Sequence, residues 1–338
     1  MQIEPDVSLK RWNTFGIEAR AARYARVESL ADLQALRATP LFRERPVFIL
    51  GGGSNILLTR DVDGLVVHNA IGGIRVVDRD ADHTVVEAGA GVVWHDLVTF
   101  CLDGDLGGLE NLSLIPGRVG ASPIQNIGAY GVEMKDAFDS LEAMDLATGD
   151  LRTFRAEECR FGYRDSVFKR GMKGKCAITS VRFRLTARDH RLNTGYGAIG
   201  AELERRGIAR PTIRDVGEAV IAIRRSRLPD PDQIGNAGSF FKNPEVPRAT
   251  YDALKQDHPG LVAYPAPGGM KLAAGWLIEQ CGWKGKRVGD AGVHTDHALV
   301  LVNYGKATGG EIHALAHEIQ ASVRERFGIE LEMEVNVV

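Results

Sequence analysis

The apolar positions of this chain recur with two different periods, which predicts a protein of mixed helices and strands. Short apolar runs, several with alternating polar positions, predict strands over 46–50, 56–59, 64–68, 84–88, 141–146, 151–154, 177–185, 298–303 and 329–338. Apolar residues spaced by three or four positions predict helices over 29–38, 94–102, 271–281 and 310–327. A basic and helical region also follows Arg188.

Two of the predicted helices carry recognisable ends. Ser29 can cap the first helix, in which leucines 30, 33 and 36 share one face. The helix 310–327 is followed by Gly328, which suits the left-handed position after a helix. Its predicted buried stripe consists of Ile312, Leu315, Ile319, Val323 and Phe327.

The segment 107–131, GGLENLSLIPGRVGASPIQNIGAYG, follows neither period and is called the glycine-rich segment below. It carries only two charged residues, Glu110 and Arg118, and too many apolar residues for a solvated linker. Glycine permits positive φ angles and close approach of the backbone to a ligand. We predict an ordered segment of loops and short helices whose backbone N–H groups face a bound polar molecule. A packed cluster of turns without a ligand is the alternative.

Composition excludes several classes of protein. Hydrophobic residues make up 44% and charged residues 25% of the 338 positions, as in ordinary globular proteins. The net charge of −2 provides no field that would recruit nucleic acid or an anionic membrane, and no apolar run approaches the length of a membrane span. The N-terminus lacks the apolar region of a signal peptide. Four separated cysteines (101, 159, 176 and 281) indicate free thiols, so we expect a cytoplasmic protein.

The motif Gly51–Asn55, GGGSN, lies between two predicted strands. Successive glycines can form a backbone nest whose N–H groups converge on an anion such as a pyrophosphate. The motif lacks the GxGxxG spacing of a dinucleotide-binding helix, and a strand follows it rather than a helix. A plain hairpin turn explains this motif alone equally well.

A second group of candidate residues follows position 224. Ser239, Lys242 and Asn243 stand in NAGSFFKNP, shortly after the arginines at 224, 225 and 227. Cations and amides together suit a diphosphate or a carboxylate, although a solvated basic loop is the alternative.

For the other groups of polar residues, a purely structural role explains the sequence at least as well as a functional one. In Tyr163–Asp165, the spacing alone favours a structural ion pair beside a core tyrosine over a functional site. Glu332 and Glu334 share one face of the last predicted strand, which is usually solvated. The histidine pairs 313/317 and 294/297 lack a third ligand, so we predict no zinc site.

Six motifs in order nevertheless resemble the UDP-N-acetylenolpyruvoylglucosamine reductase family of peptidoglycan precursor synthesis, which serves cell wall biogenesis, cell shape and cell division. The motifs are GGGSN, IPGRVGASPIQNIGAYG, FGYRDSVFK, GNAGSFFKNP, AAGWLIEQCGWKG and LEMEV, and the resemblance runs from 13 to 335. Several motifs in register are far more specific than any one of them.

The resemblance implies an α+β protein with FAD bound non-covalently in a two-part domain of the vanillyl-alcohol-oxidase type and a C-terminal α+β substrate domain. The expected boundaries are 1–70, 71–205 and 206–338, with 329–338 returning to the active-site cleft. The implied reaction uses NADPH to reduce the enolpyruvyl ether of UDP-N-acetylglucosamine enolpyruvate. A hydride would pass from flavin N5 to the methylene carbon, and Ser239 would supply the proton. We expect a monomer without nucleic-acid or membrane partners.

The resemblance also implies residue roles, position by position. Arg164, Ser239 and Glu334 would be catalytic. FAD would contact Gly51, Gly52, Gly53, Ser54, Asn55, Gly117, Ser122, Pro123, Gln125, Asn126, Gly128, Ala129 and Tyr130, with 14–16 as a further flavin-contacting turn. The substrate would contact Tyr163, Tyr196, Arg227, Lys242, Asn243 and His297.

The sequence departs from the family pattern at three of its positions. Arg227 replaces a frequent lysine, His297 a glutamine and Met333 a proline. Two other functions compete with the implied one. A related flavin oxidase would often tether FAD through a His or Cys, which GGGSN lacks, and it would leave Ser239 without a role. A non-catalytic module that binds flavin or nucleotide sugar would give no reason for the paired FAD loops and the basic site to occur together.

Overall fold

A computed structural model describes all residues of the chain, 1–338. The chain divides into two compact units. Unit 1 comprises Met1–Val7, Ala21–Gly52 and Val62–Ser226, and unit 2 comprises Ser8–Arg20, Gly53–Asp61 and Arg227–Val338. The expected boundaries at 70 and 205 both fall inside unit 1, and the three-part functional division stays a prediction.

The chain contains twenty strands and nine α-helices. The strands are β1 (Ile3–Ser8), β2 (Arg20–Val27), β3 (Val47–Leu50), β4 (Ile56–Leu57), β5 (Val62–Asn69), β6 (Ile74–Arg79), β7 (His83–Gly89), β8 (Gly128–Ala129), β9 (Val132–Glu133), β10 (Phe138–Asp145), β11 (Leu151–Arg155), β12 (Cys176–Thr186), β13 (Gly235–Ser239), β14 (Glu245–Val246), β15 (Ala263–Ala266), β16 (Gly269–Leu272), β17 (Arg287–Val288), β18 (Ala291–Val293), β19 (Val300–Asn303) and β20 (Asn336–Val337).

The α-helices are α1 (Leu30–Arg37), α2 (Pro40–Glu44), α3 (Trp94–Asp103), α4 (Ala156–Cys159), α5 (Gly197–Arg205), α6 (Ile213–Arg227), α7 (Arg248–Asp257), α8 (Ala274–Gln280) and α9 (Gly309–Phe327). Single turns of 3₁₀ helix cover Lys10–Trp12, Glu110–Leu112, Val119–Ala121, Met134–Asp136 and Val167–Lys169.

Unit 1 is built on two sheets. The first has the order β1-β2-β5-β3, with β5 parallel to both β2 and β3. Leu33 and Leu36 of α1 and Phe42 of α2 pack with Val27 and Val67 of this sheet. The second sheet has the order β11-β10-β12-β7-β6 and is antiparallel.

Helix α3 covers the second sheet, because its residues at helical spacing are apolar. Trp94 packs edge-to-face on Phe183 at 5.7 Å between ring centroids. Its indole Nε1 donates to Leu112 O at 2.8 Å, which fixes the start of the glycine-rich segment to this core. A separate small core joins α5 and α6 through Ile199 and Val220.

Unit 2 contains an antiparallel sheet in the order β13-β19-β18-β17, against which α9 packs. A second sheet has the order β14-β16-β15, and β20 pairs in parallel with β4. Helix α9 begins with a capping box, in which Thr308 Oγ1 accepts from Glu311 N and the Glu311 side chain accepts from Thr308 N. No helix of the structure is both long and apolar enough to cross a bilayer.

Most predicted elements are confirmed, with two corrections. Ser29 caps α1, and the five stripe residues of α9 are buried ahead of Gly328 at φ 67°. The helix predicted over 271–281 begins at Ala274, since Gly269–Leu272 pairs as β16. The strand predicted over 329–338 is wrong except at Asn336–Val337, because the preceding residues form only one isolated bridge, from Met333 to Phe241.

Candidate active site

The glycine-rich segment is ordered, as predicted, and lies against the turn that follows β7. Trp94 N donates to Gly117 O at 3.0 Å, Val119 N donates to Val92 O at 2.9 Å, and Gly120 N donates to Ala90 O at 2.9 Å. Beyond Ala121, the segment continues into the hairpin β8–β9. Backbone hydrogen bonds to residues 90–94 therefore hold this segment in unit 1.

Two glycines of GGGSN meet this segment, and the third does not. A Cβ on Gly52 would lie 3.2 Å from the Cα of Gly117, and Gly51 faces Arg118. Gly51, Gly52 and Gly117 are partly exposed, so their backbone can still reach a ligand. This close approach of two exposed glycine backbones fits a cradle for the pyrophosphate of FAD.

Gly53 is a glycine for another reason. It is buried at φ 64°, and a Cβ there would lie 1.9 Å from Trp12 O within unit 2. Asn55 is tied to the C-terminal segment, because its Nδ2 donates to Glu334 O at 3.3 Å and its carbonyl accepts from Asn336 Nδ2 at 3.0 Å. The GGGSN motif therefore has one buried packing position, Gly53, and partly exposed positions at Gly51 and Gly52.

The residues expected to contact FAD fall into a buried group and a partly exposed group. Ser122, Pro123 and Asn126 are buried. Ser122 Oγ donates to Val119 O, while Asn126 Nδ2 donates to Gly162 O and its Oδ1 accepts from Lys135 N. The other expected contacts apart from Gly53 are partly exposed: Gly51, Gly52, Ser54, Asn55, Gly117, Gln125, Gly128, Ala129 and Tyr130.

Arg164 adopts a left-handed backbone conformation, at φ 53°, beside the glycine-rich segment. Its Nη2 donates to Gly128 O at 2.6 Å, and its guanidinium lies 5.4 Å from the ring centre of Tyr163. Asp165 of the same motif forms an ion pair with Arg170. Arg164 is therefore bonded to the hairpin for which the resemblance implies contact with FAD.

Arg224 is one of the three arginines that the sequence groups with Ser239, with a solvated basic loop as the alternative. It lies on α6, half-buried, with its Nε donating to Leu114 O at 3.1 Å and no carboxylate paired with it. Burial lowers the pKa of Arg224, and the positive charge of nearby Arg164 lowers it further. Its position four residues after the buried Val220 could have revealed it as a cation on an apolar stripe.

Ser239 and Glu334 are brought to neighbouring segments of unit 2. Ser239 ends β13 opposite Val300, directly after Gly238 at φ 71°. Glu334 N donates to Phe240 O at 2.8 Å, so the C-terminal segment runs beside the residues that follow Ser239. These two expected catalytic residues therefore lie on adjacent segments of a single unit.

Two expected substrate residues already have partners in the protein. The Nζ of Lys242 forms an ion pair with the exposed carboxylate of Glu332. Asn243 Oδ1 accepts from Ala274 N at 2.9 Å, at the start of α8, which leaves its Nδ2 for other partners.

His297 lies in a positively charged region of unit 2. Burial lowers the pKa of His297, and the positive charges of His294, Arg227 and Lys284 lower it as well. Its Nδ1 is buried without a hydrogen-bond partner. A neutral histidine among cations suits a bound anion such as a diphosphate.

Tyr196 precedes α5 in unit 1 and is 45% exposed. Its ring packs edge-to-face on Tyr130, with ring centroids 5.5 Å apart. Unit 1 thus carries Tyr163, Arg164 and Tyr196, and unit 2 carries Arg227, Ser239, Lys242, Asn243, His297 and Glu334.

Comparisons with known proteins agree with this arrangement. Residues 21–155 match the FAD binding domain family, and residues 230–338 match the family described as UDP-N-acetylenolpyruvoylglucosamine reductase, C-terminal domain. The α+β class, with an FAD-binding domain and a C-terminal domain, is therefore confirmed.

Whole-chain relatives carry the same name. The chain is 56% identical to the UDP-N-acetylenolpyruvoylglucosamine reductase of Chromobacterium violaceum, over 99% of this chain and 98% of the relative. It is 50% identical to that of Flavobacterium johnsoniae over the full length of both. The crystal structure of the reductase from Thermus caldophilus is 28% identical with a TM-score of 0.68, covering 100% of this chain and 99% of that one.

Proposed function

The chain belongs to the UDP-N-acetylenolpyruvoylglucosamine reductase family, the FAD-dependent oxidoreductases of peptidoglycan synthesis, and we therefore propose that it reduces UDP-N-acetylglucosamine enolpyruvate to UDP-N-acetylmuramate with NADPH. FAD, when bound, carries the hydride from NADPH to the enolpyruvyl group. The residues of the chain must hold both molecules and deliver a proton.

The exposed backbone positions of unit 1 would hold FAD. Gly51 and Gly52 offer N–H groups to the pyrophosphate. The partly exposed residues Gln125, Gly128, Ala129 and Tyr130 of the glycine-rich segment would contact the rest of the cofactor. Ser122 and Asn126 would act by holding this segment in shape, because their side chains bond within the protein.

Arg164 would hold the substrate carboxylate. A guanidinium has five N–H donors in a planar fork, which suits it to bind a carboxylate through two parallel hydrogen bonds. The bond from Nη2 to Gly128 O orients this fork beside the hairpin. Such a contact would stabilise the charge that develops as the methylene carbon is reduced. Tyr163, stacked near this guanidinium, would border the same group.

The other half of the substrate is anionic, and its proposed contacts fit that charge. Arg227 and His297 would bind the diphosphate in the positively charged region of unit 2. Lys242 and Asn243 would contribute a cation and an amide, and Tyr196 would cover the nucleotide.

The proximity of the Ser239 and Glu334 segments within unit 2 carries this proposal. Ser239 Oγ would donate its proton to the carbon next to the carboxylate, and Glu334, when it carries or shares a proton, would donate a hydrogen bond to the developing enolate. A packing role for Ser239 would give no reason for a partly exposed serine after the left-handed Gly238, on the segment beside Glu334.

The state of the cysteines supports a cytoplasmic location. All four thiols are free, and burial raises the pKa of Cys101 and of Cys159 to about 12. Such thiols are unreactive and are typical of a reducing compartment. The expected monomer stays a prediction.

The test separates the two halves of the reaction in the Ser239→Ala variant by stopped-flow absorbance. We expect NADPH to bleach the bound flavin at the wild-type rate, since that half needs no acid near the substrate. Reoxidation by the enolpyruvyl substrate should slow by about 10²–10⁴, the usual effect of removing a positioned acid. Ser322→Ala, on α9 of the same unit, is the matched control and should change neither half. Normal reoxidation in Ser239→Ala would refute the proton-donor role.

A further inference from the structure

The loop that carries Tyr196 is held by side-chain amides rather than by secondary structure. Residues 191–196, called the Tyr196 loop below, form neither helix nor strand. Asn111 Nδ2 donates to Asn193 O at 2.9 Å, and Asn193 Nδ2 donates to Gly131 O at 3.2 Å. Both bonds run to the glycine-rich segment and its hairpin, so the loop is attached to the part of unit 1 assigned to FAD.

Asn111 connects the two segments directly. It is 1% exposed, in the 3₁₀ turn Glu110–Leu112, and its Nδ2 also donates to Tyr130 O at 3.1 Å. One amide nitrogen therefore bridges the carbonyl of the Tyr196 loop and the carbonyl of the hairpin turn. Both of its N–H donors are used, which fixes the orientation of the amide.

The acceptor side of Asn111 is not satisfied by the protein, since its Oδ1 is buried without a hydrogen-bond partner. A buried orphan acceptor costs free energy that an apolar residue of the same shape would not incur. A residue kept only for packing therefore has no reason to be asparagine. The two donated bonds are what an asparagine provides here.

The hairpin turn that receives this bond is itself strained. Tyr130 and Gly131 have φ angles of 50° and 80°, and positive φ is costly for a tyrosine. The ring of Tyr130 is the surface on which the ring of Tyr196 packs. Asn111 thus bonds to the backbone of Tyr130 directly and to the loop of Tyr196 through the carbonyl of Asn193.

We propose that Asn111 is a positioning residue that holds the Tyr196 loop on the hairpin turn and so prepares the nucleotide-binding surface before substrate arrives. This inference rests on the proposed function, which places Tyr196 over the nucleotide. Preorganisation of a binding loop improves affinity because ordering is not required during binding. Asn111 acts through Tyr196 and touches none of the reacting atoms.

The first test is the Asn111→Leu variant, which keeps the approximate volume and removes both donors. Each hydrogen bond shifts an equilibrium by about fivefold, so we expect the KM for the enolpyruvyl substrate to rise about tenfold to thirtyfold. Both kcat and flavin bleaching by NADPH should stay within about twofold. Trypsin should cleave the substrate-free enzyme after the exposed Arg191 at least about tenfold faster, as followed by mass spectrometry.

Two further variants define the mechanism. Ser113→Ala removes the buried bond from Ser113 Oγ to Glu110 O in the same stretch and should leave both KM and Arg191 cleavage unchanged. Asn193→Ala removes only the bond to Gly131 O and should give a smaller effect of the same kind. If Asn111→Leu fails to fold, Asn193→Ala carries the test alone.

A double variant distinguishes failure of this inference from failure of the proposed function. Added to Tyr196→Ala, Asn111→Leu should raise KM little further, because both act on one contact. If Tyr196→Ala leaves KM unchanged, the nucleotide placement fails, whereas faster cleavage after Arg191 in Asn111→Leu would still support the loop attachment. Wild-type KM and wild-type Arg191 cleavage in folded, FAD-containing Asn111→Leu would overturn the inference.

Discussion

Four residues in and beside the glycine-rich segment hold left-handed backbone conformations although none is glycine: Leu114, Asn126, Tyr130 and Arg164. Each such conformation costs about 1–3 kcal/mol unless the surroundings enforce it. Here, the enforcement is visible, because Arg164 is bonded to Gly128 O and Asn126 is bonded on both sides of its amide. Strain of this kind concentrates at binding sites, and the guanidinium of Arg164 is held at the hairpin by its bond to Gly128 O.

Gly128 controls the position of that guanidinium. A Cβ at residue 128 would lie 3.1 Å from Arg164 Nη1 and 3.0 Å from Val132 O. We expect Gly128→Ala to displace Arg164 and to lower kcat/KM about tenfold or more, because a small misplacement of a positioning group is costly in rate. Steady-state kinetics, normalised to bound flavin, measures this effect. Gly162→Ala is the control, since its Cβ would meet only Asp165 Cβ at 3.6 Å, and equal losses in the two variants would contradict the argument.

The lowered pKa of His297 predicts that the stability of the folded protein depends on pH. Burial and nearby cations lower its pKa in the folded protein, so below about pH 6.5 the unfolded chain binds more protons than the folded chain. The stability that His297 contributes is therefore complete above that pH and is lost as the pH falls towards the folded pKa. We expect the Tm of the wild type to fall more between pH 7.5 and 5.5 than the Tm of His297→Gln. Equal falls in thermal unfolding would show that His297 titrates normally.

At the residue scale, the predictions from the sequence agree with the structure where interactions within one element determine the conformation. Ser29, Gly328 and the buried stripe of α9 follow from capping and periodicity, which act within one helix. The left-handed φ of Arg164 and the bond from Arg224 to Leu114 O could not be predicted, because both depend on contacts with residues far away in the sequence.

At the scale of elements, the start of α9 is fixed by close backbone contact within unit 2. A Cβ on Gly309 would lie 1.8 Å from Leu58 O, whereas a Cβ on Gly310 would meet only Thr308 Oγ1 at 3.9 Å. We expect Gly309→Ala to destabilise the protein by about 2–3 kcal/mol, as overpacking does, and Gly310→Ala to be neutral or to stabilise it by up to about 1 kcal/mol. Thermal denaturation of the two variants measures the difference, and similar Tm values would rule out the contact.

Two errors in the prediction of strands have a common cause. Strand β2 (RAARYARV) was not predicted, because arginines interrupt its apolar pattern. Segment 329–335 was predicted as a strand from its alternating pattern, but it forms no ladder. Strand pairing is decided by which partners the tertiary structure brings alongside, and neither hydropathy nor periodicity contains that information. The helix predicted over 271–281 was started too early for the same reason, because Gly269–Leu272 finds partners in β14 and β15.

At the scale of the whole molecule, the order of the chain does not follow its compact units. Residues 8–20 and 53–61 belong to unit 2 although unit 1 contains the residues around them. Within unit 2, Asn236 N donates to Thr14 O, and Asn303 Nδ2 donates to Phe15 O. Changes of composition along a sequence indicate domains that follow one another in the chain. They could not predict that residues 8–20 and 53–61 join residues 227–338 in one unit.

This interleaving predicts that the C-terminal part of the chain cannot fold alone. A fragment of residues 227–338 would lose Phe15, whose ring packs on Phe240 at 6.3 Å, and the partner of β20 in β4. Removing one buried aromatic side chain costs about 3–5 kcal/mol, against a total stability of about 5–15 kcal/mol for a typical protein. We expect the fragment to show neither native circular dichroism nor a cooperative thermal transition. Co-expression with a fragment of residues 1–226, which supplies both missing segments, should restore a folded complex. A cooperative transition in the isolated fragment, near the Tm of the full chain, would show that residues 8–20 and 53–61 are dispensable for this unit.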